Sequence, residues 1–121
     1  MSESEQLSLI VQWEGVCHLM FDLCHKMPKR VRFSFVHRLE GGTLDLLTKL
    51  YSARYQRHQT LVSTLQQVDA QLAQLKALSR IAHGRQLLSH GDYERLSVGL
   101  DEAGRMLGGW IKSSQQGHYA T

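Results

Sequence analysis

Apolar residues recur along this chain at alternating steps of four and three, in four separate runs. The first is Leu9, Trp13, Val16, Met20 and Leu23. The second is Phe35, Leu39, Gly42, Leu46, Leu50 and Ala53, with one step stretched. The third is Leu61, Leu65, Val68, Leu72 and Leu75, continuing to Ala82, and the fourth is Leu96, Leu100, Ala103, Leu107 and Trp110. A period near 3.5 puts each run on one helix face and suits left-handed bundle packing at about +20°. The polar punctuation agrees. Pro28 ends whatever precedes it and suits a first helical turn. Ser89-His90-Gly91-Asp92 reads as a capping box with Ser89 as N-cap. Gly84 or the stretch 86–88 closes the third helix, and the second and third helices must turn near 54–59. The expected helices are about 5–25, 28–53, 59–83 and 90–113, with a frayed polar tail at 114–121. Short connections make neighbours antiparallel, so residues 1–121 are expected to form a single all-α domain, an up-down-up-down four-helix bundle.

One segment strains that pattern. Gly99, Gly104, Gly108 and Gly109 all lie within the fourth helix. Each glycine costs a helix interior ~1 kcal/mol relative to alanine. Close helix approach is the expected compensation, with Gly104 and Gly108 four apart on one face and Trp110 on the adjoining one. Gly41-Gly42 suggests a second close contact. On this reading Gly108→Leu should destabilise, since overpacking typically costs about 1–3 kcal/mol.

Composition changes little in this picture. Hydrophobic residues make up 42% and charged residues 21%, ordinary for a globular protein, and there is one proline. No apolar run approaches the ~20 residues of a membrane span. The acidic start, Met-Ser-Glu-Ser-Glu-Gln, has no signal-peptide pattern, so a cytoplasmic location without membrane attachment is expected. Cys17 and Cys24 are separated by about 10.5 Å of helical rise. They can neither pair nor share a zinc, and are expected to be buried core thiols. Seven histidines invite a metal reading, but no Glu-x-x-His, His-Glu-x-x-His or Cys-x-x-Cys element occurs. His83 and His90 are expected to be solvated beside the third connection. No nucleophile elbow or phosphate loop is present. No catalytic residue, metal site or cofactor is expected.

Charge is more informative. Residues 1–25 carry four acids and no Lys or Arg, whereas the remainder carries all 14 Lys and Arg against seven acids. Lys26, Lys29, Arg30, Arg32 and Arg38 follow one another with no acid between. Arg54 and Arg57 cluster with His58 at a helix end, beside Tyr51 and Tyr55, which could stack on exposed bases. Lys76, Arg80 and His83 share a helix face, and Arg85 follows. Clustered cations of this kind are an electrostatic footprint for a polyanion, and the 26–38 and 49–58 groups together are the candidate nucleic-acid surface.

Residues 104–111, Gly-Arg-Met-Leu-Gly-Gly-Trp-Ile, resemble the G-R-x-L-G-[GS]-W-I signature of accessory variability determinant (Avd) proteins of diversity-generating retroelements. Gly104, Arg105, Leu107, Gly108, Gly109 and Trp110 carry that match. Met27-Pro28-Lys29-Arg30, followed by a helix through Phe35, Leu39 and Gly42, is similar to the basic segment that opens the family's second helix. Leu75-Lys76-Ala77-Leu78-Ser79-Arg80 is similar to its Leu-Arg…Leu-Arg run, with Lys76 in place of the first arginine. The resemblance covers about residues 10–113. It implies four-helix protomers assembled as a ring-like homopentamer with a basic surface. It also implies partnership with the element's reverse transcriptase and with template RNA and RNA–DNA hybrid, in support of mutagenic cDNA synthesis. Two other readings stand beside it: a helical protein–protein scaffold of the four-helix intervening-sequence type with no nucleic-acid role, and a metal-binding helical enzyme.

Overall fold

The computed structural model describes the backbone of residues 1–120 and the side chains of residues 1–116. Four helices account for almost all of it: α1 (Glu3–His25), α2 (His37–Ala53), α3 (His58–Gly84) and α4 (His90–Ala120). Each packs on its neighbours in sequence, and α4 closes on α1, giving the antiparallel four-helix arrangement. α4 runs to Ala120, past the expected end at 113. Thr121, and the side chains of the expected frayed tail from Gly117 on, lie outside the described residues.

The four apolar runs form the core. Every member of the first and fourth is buried, as are Leu39, Leu46, Leu50, Ala53, Leu65, Val68, Leu72, Leu75 and Ala82, while Phe35 and Leu61 are half-buried against them. Cys17 and Cys24 are free and buried. Burial, reinforced by Glu14, pushes the Cys17 thiol up to about 11, and burial with Glu40 pushes Cys24 up to about 12. Both are therefore protonated, inert thiols at neutral pH. Two polar residues are also buried, Thr43 and Ser79, and each donates its hydroxyl to the carbonyl one turn back, Leu39 and Leu75 respectively.

The expected second helix is not uniform. Its start is a 3-10 turn, Lys29–Val31, followed by a π turn, Arg32–Val36, and regular α-helix begins at His37. Pro28 is extended, at φ −66° and ψ 151°, and stops α1. Met27 and Val31 are buried and anchor the segment to the core. With both anchors fixed so close together, the chain accommodates the entry by winding first tighter and then looser than an α-helix.

The glycines divide into two kinds. A Cβ at Gly42 would stand 3.1 Å from Leu75 Cδ2, and one at Gly99 3.1 Å from Val16 Cγ2. One at Gly104 would meet Lys76 Nζ at 3.4 Å and Leu72 Cδ2 at 3.5 Å. These three give close approach between α2 and α3, α1 and α4, and α3 and α4. Gly41 and Gly108 have nothing within 4 Å, so close helix approach does not explain them. Four residues advance a helix by about 400°, so Gly108 is rotated ~40° from Gly104, past the line of contact and into solvent. The expectation for Gly108 therefore reverses. Gly108→Ala should raise stability by about 0.8–1 kcal/mol through helix propensity alone. Thermal melts check this, and a lowered melting temperature would mean that another copy of the chain covers Gly108.

Helix ends follow local chemistry. Ser2 and Glu5 form a full capping box on α1, with Ser2 Oγ accepting from the Glu5 N–H at 3.1 Å and Glu5 Oε1 from the Ser2 N–H at 3.3 Å. At α4, Ser89 Oγ accepts from the Asp92 N–H at 3.1 Å, but the Asp92 carboxylate does not complete the expected box. It accepts instead from Lys26 Nζ at 3.0 Å and Arg95 Nη2 at 2.8 Å, tying the end of α1 to the start of α4. α3 closes on Gln86, at φ 62°, with the Leu87 N–H donating to the Ala82 carbonyl at 2.8 Å.

Arg95, then Lys26, hold the Asp92 carboxyl down at about 2, against an ordinary value of 3.8. A depressed acid stabilises the fold fully above its unfolded value and loses that contribution as pH falls through its folded value. Asp92→Asn should therefore melt below the parent above about pH 4, and the two melting curves should converge as the pH is taken down to about 2.

α1 qualifies a sequence-level expectation. Over 18 residues its mean hydropathy reaches 1.2, long and apolar enough by length and composition to cross a bilayer, although no unbroken apolar run indicates it. Its apolar stripe is used by the core, where Leu9, Ile10, Trp13, Val16, Met20 and Leu23 are all buried.

Candidate nucleic-acid interface

Alternating helix direction sets which cations meet. α1 ends, α2 begins, α3 ends and α4 begins at one end of the bundle. The opposite end holds the start of α1, the α2–α3 turn at Arg54–Arg57, and the far part of α4. Sequence clusters at 26–38 and 49–58 therefore fall at opposite ends. The 17 residues of α2 alone separate them by about 26 Å.

At the first end, the entry segment sorts its side chains by burial. Met27 and Val31 point inward, while Lys29, Arg30, Arg32 and Arg38 are exposed. The Val31 N–H donates to the Pro28 carbonyl at 3.1 Å and the Ser34 hydroxyl to the Val31 carbonyl at 3.3 Å, fixing the turn that displays these cations. α3 delivers Arg80 in its last turns, and Arg85 caps it; both are exposed. Among the described residues, none of these six makes an ion pair. A cleft of about 700 Å³ opens between the end of α1 and the entry segment, lined by Phe21, Asp22, Met27, Lys29, Arg32 and Glu40 among others.

Of the other candidates, Lys26, Lys76 and Arg54 are ion-paired within the subunit and Arg57 is not. Lys26 is bound to Asp92 at 3.0 Å, and Lys76 to Asp101 at 3.2 Å. The side chain of Arg54 is only 15% exposed, pairs with Glu3 at 3.4 Å and stands 5.6 Å above the Tyr55 ring. Arg57 is exposed at that same end. His83 is half-buried rather than solvated: its ring stacks on Tyr93 with centroids 4.3 Å apart and planes 2° from parallel, and His90 packs at 5.6 Å. His90 is exposed and sits 3.0 Å from Glu94. In the signature helix, Arg105 is exposed and forms a two-pronged pair with Glu102 at 2.6 and 3.0 Å, while Leu107 and Trp110 are core residues. Among the described residues, no three His, Cys, Asp or Glu side chains converge as a metal site would require.

Sequence reading missed Phe33. It is 88% exposed, the most exposed large apolar side chain described, and it sits inside the run of unpaired cations. A signal was available: Phe33 is an aromatic residue off the apolar stripe, with a basic residue directly before it.

A family model described as bAvd-like matches residues 7–114, and the chain belongs to that family. No curated protein matches the chain. The match reaches all four helices and takes in all three family-like segments. It sets the chain among accessory proteins of diversity-generating retroelements, which associate with a reverse transcriptase, and suggests a non-enzymatic role.

Proposed function

We propose that this bAvd-like chain binds template RNA and RNA–DNA hybrid at its basic end and holds them for a retroelement reverse transcriptase, which does the chemistry. The carrying observation is a set of six cations that make no ion pair among the described residues, Lys29, Arg30, Arg32, Arg38, Arg80 and Arg85, lying toward one end of the bundle. Cations so arranged neutralise phosphates and fix orientation without reading bases. They act in the cytoplasm on this reading, and as a homo-oligomer, with five subunits implied by the Avd resemblance. A ring of subunits repeats each basic end and multiplies the phosphate contacts.

Fluorescence anisotropy with unrelated RNAs over a salt series tests the reading. If all six cations of one protomer contact a single strand, affinity should fall with salt at a log–log slope of about −4, since each contact contributes ~0.7. Similar slopes for different sequences are expected. Binding that is absent or indifferent to salt leaves only a protein scaffold. Light scattering over a concentration series tests assembly, and a persistent monomer at micromolar concentration removes that part of the proposal.

A further inference from the structure

We infer that the basic end takes nucleic acid as an unpaired strand, with Phe33 as the ring on which a base stacks. This rests on the phosphate-binding reading and adds the state of the strand to it. Phe33 is placed by the π turn: Val31 is buried before it, Phe35 and Val36 pack on the core after it, and Phe33 is left projecting with 88% exposure. Leaving a phenyl ring in water forgoes the burial that drives folding. Single exposed apolar side chains are common on protein surfaces, and Val98 and Val11 are others here, so it is the cations beside Phe33 that single it out.

The surroundings favour one kind of partner. Lys29, Arg30, Arg32 and Arg38 flank Phe33 in sequence and are exposed, with no acid in residues 26–39, although Asp22 and Glu40 line the cleft beside Lys29 and Arg32. An aromatic ring beside arginines also occurs at protein–protein interfaces, so the ring alone does not choose the partner; the excess of cations over acids in this segment favours a phosphate-bearing strand. An aromatic ring set in cations matches the usual single-strand site, in which a basic groove tracks phosphates and a ring receives a base. A duplex keeps its base faces stacked on one another and offers such a ring only sugar and phosphate. The tyrosines beside the other basic group suit this role less well. Tyr51 donates to Glu14 at 3.3 Å, a carboxylate that repels phosphate, and Tyr55 has the Arg54 guanidinium over its ring.

The test uses the full chain in its native assembly, with Phe33→Ala, Phe33→Leu and Phe33→Trp. The probes are an unstructured single-stranded RNA and a blunt duplex with the same number of phosphates. Phe33→Ala and Phe33→Leu should weaken single-strand binding by about five- to a hundredfold, the range for losing one stacked base. Duplex affinity should stay within about twofold of the parent and the salt slope should not change, because no phosphate contact is lost. Phe33→Trp should keep its affinity and be quenched by the single strand, beyond any change seen in the parent. Single-strand affinity unchanged in Phe33→Ala overturns the inference. So does an equal loss on both probes, or a variant that keeps RNA affinity but no longer co-purifies with a reverse transcriptase, which would make Phe33 a protein anchor. A parent that binds neither probe in a salt-dependent way defeats the phosphate reading first. A parent with a normal slope and an indifferent Phe33→Ala defeats only the stacking.

Discussion

Trp13→Ala is expected to remove about 3–5 kcal/mol of folding free energy, the usual loss on truncating a buried tryptophan. Trp13 is fully buried on α1 and lines the centre of the bundle with Leu9, Leu46, Leu50, Val68, Leu72, Ala103 and Leu107, so all four helices meet there. The void at this point is about 10 Å³, at the lower limit for holding one water, so the core has almost no slack before the change. The indole also makes a polar contact: its N–H donates to the Thr43 carbonyl at 2.9 Å, crossing from α1 to α2 in the interior. Set against the ~5–15 kcal/mol that holds a domain together, the loss is a large fraction of the total. A chain of this length should melt roughly 10–20 °C lower. Trp13→Phe separates the two contributions. It keeps most of the ring, removes the N–H, and should cost about 1–2 kcal/mol. Urea and thermal unfolding of both variants measure this, and a Trp13→Ala protein within 1 kcal/mol of the parent would show that the bundle centre does not carry its stability.

The core was legible because its signal is local and repeated. A period of 3.5 held over four or five steps leaves little choice of face, and no member of the four runs proved exposed. The entry to α2 was not legible. Residues 28–36 read as continuous helix, since Phe35 fits the stripe and Pro28 suits a first turn. What breaks the helix is the demand that Met27 and Val31 both reach the core, which is a property of the tertiary packing. The glycines show the same boundary. Sequence identifies a helix that gives up propensity, but which glycines lie under a neighbour depends on rotation about the axis, and a ~40° drift separates Gly104 from Gly108.

The candidate interface was legible as residue types and not as a surface. Proximity in sequence joined Lys26 to its neighbours, but Lys26 also pairs with Asp92, 66 residues away, which Arg95 shares. It also joined Arg54 to Arg57, but Arg54 turns inward against Glu3. Conversely, Arg80 and Arg85 come to the same end as Arg30 and Arg32 only because α3 returns to where α2 begins, with Arg80 in the groove between α3 and α4 beside Lys76 and Asp101. Among the described residues six of the 14 Lys and Arg are ion-paired, three of them across the bundle and three within a helix, and of the eight left over all but Arg57 and Lys112 lie toward the basic end.

Replacing Arg30 and Arg32 together by glutamate is expected to cut RNA affinity by at least tenfold near 0.1 M salt and to flatten the salt slope. Two lost contacts per protomer remove ~1.4 from the log–log slope on a single strand, which at 0.1 M corresponds to roughly 25-fold before repulsion from the new carboxylates is counted. A ring of subunits engaging one strand enlarges the effect. The fold should survive for two reasons. Both side chains are exposed and touch no ion-pair partner, so no buried charge is stranded. They also lie just before α2, where negative charge is favourable to the helix dipole. Arg54→Glu is the instructive contrast. It places a carboxylate in a site 15% exposed, facing Glu3, and should lower stability more than it lowers RNA affinity. A salt series by anisotropy, with circular dichroism on the same samples, separates the two. The expected pattern is a folded double variant with a shallower slope across unrelated RNAs, and a destabilised Arg54→Glu with the parent's slope. If the folded double variant binds as tightly as the parent with an unchanged slope, the entry segment before α2 is only a solvated face. The phosphate contacts would then have to come from Arg38, Arg80 and Arg85 or not at all. A steeper loss from Arg54→Glu, with the fold intact, would move the interface to the other end of the bundle.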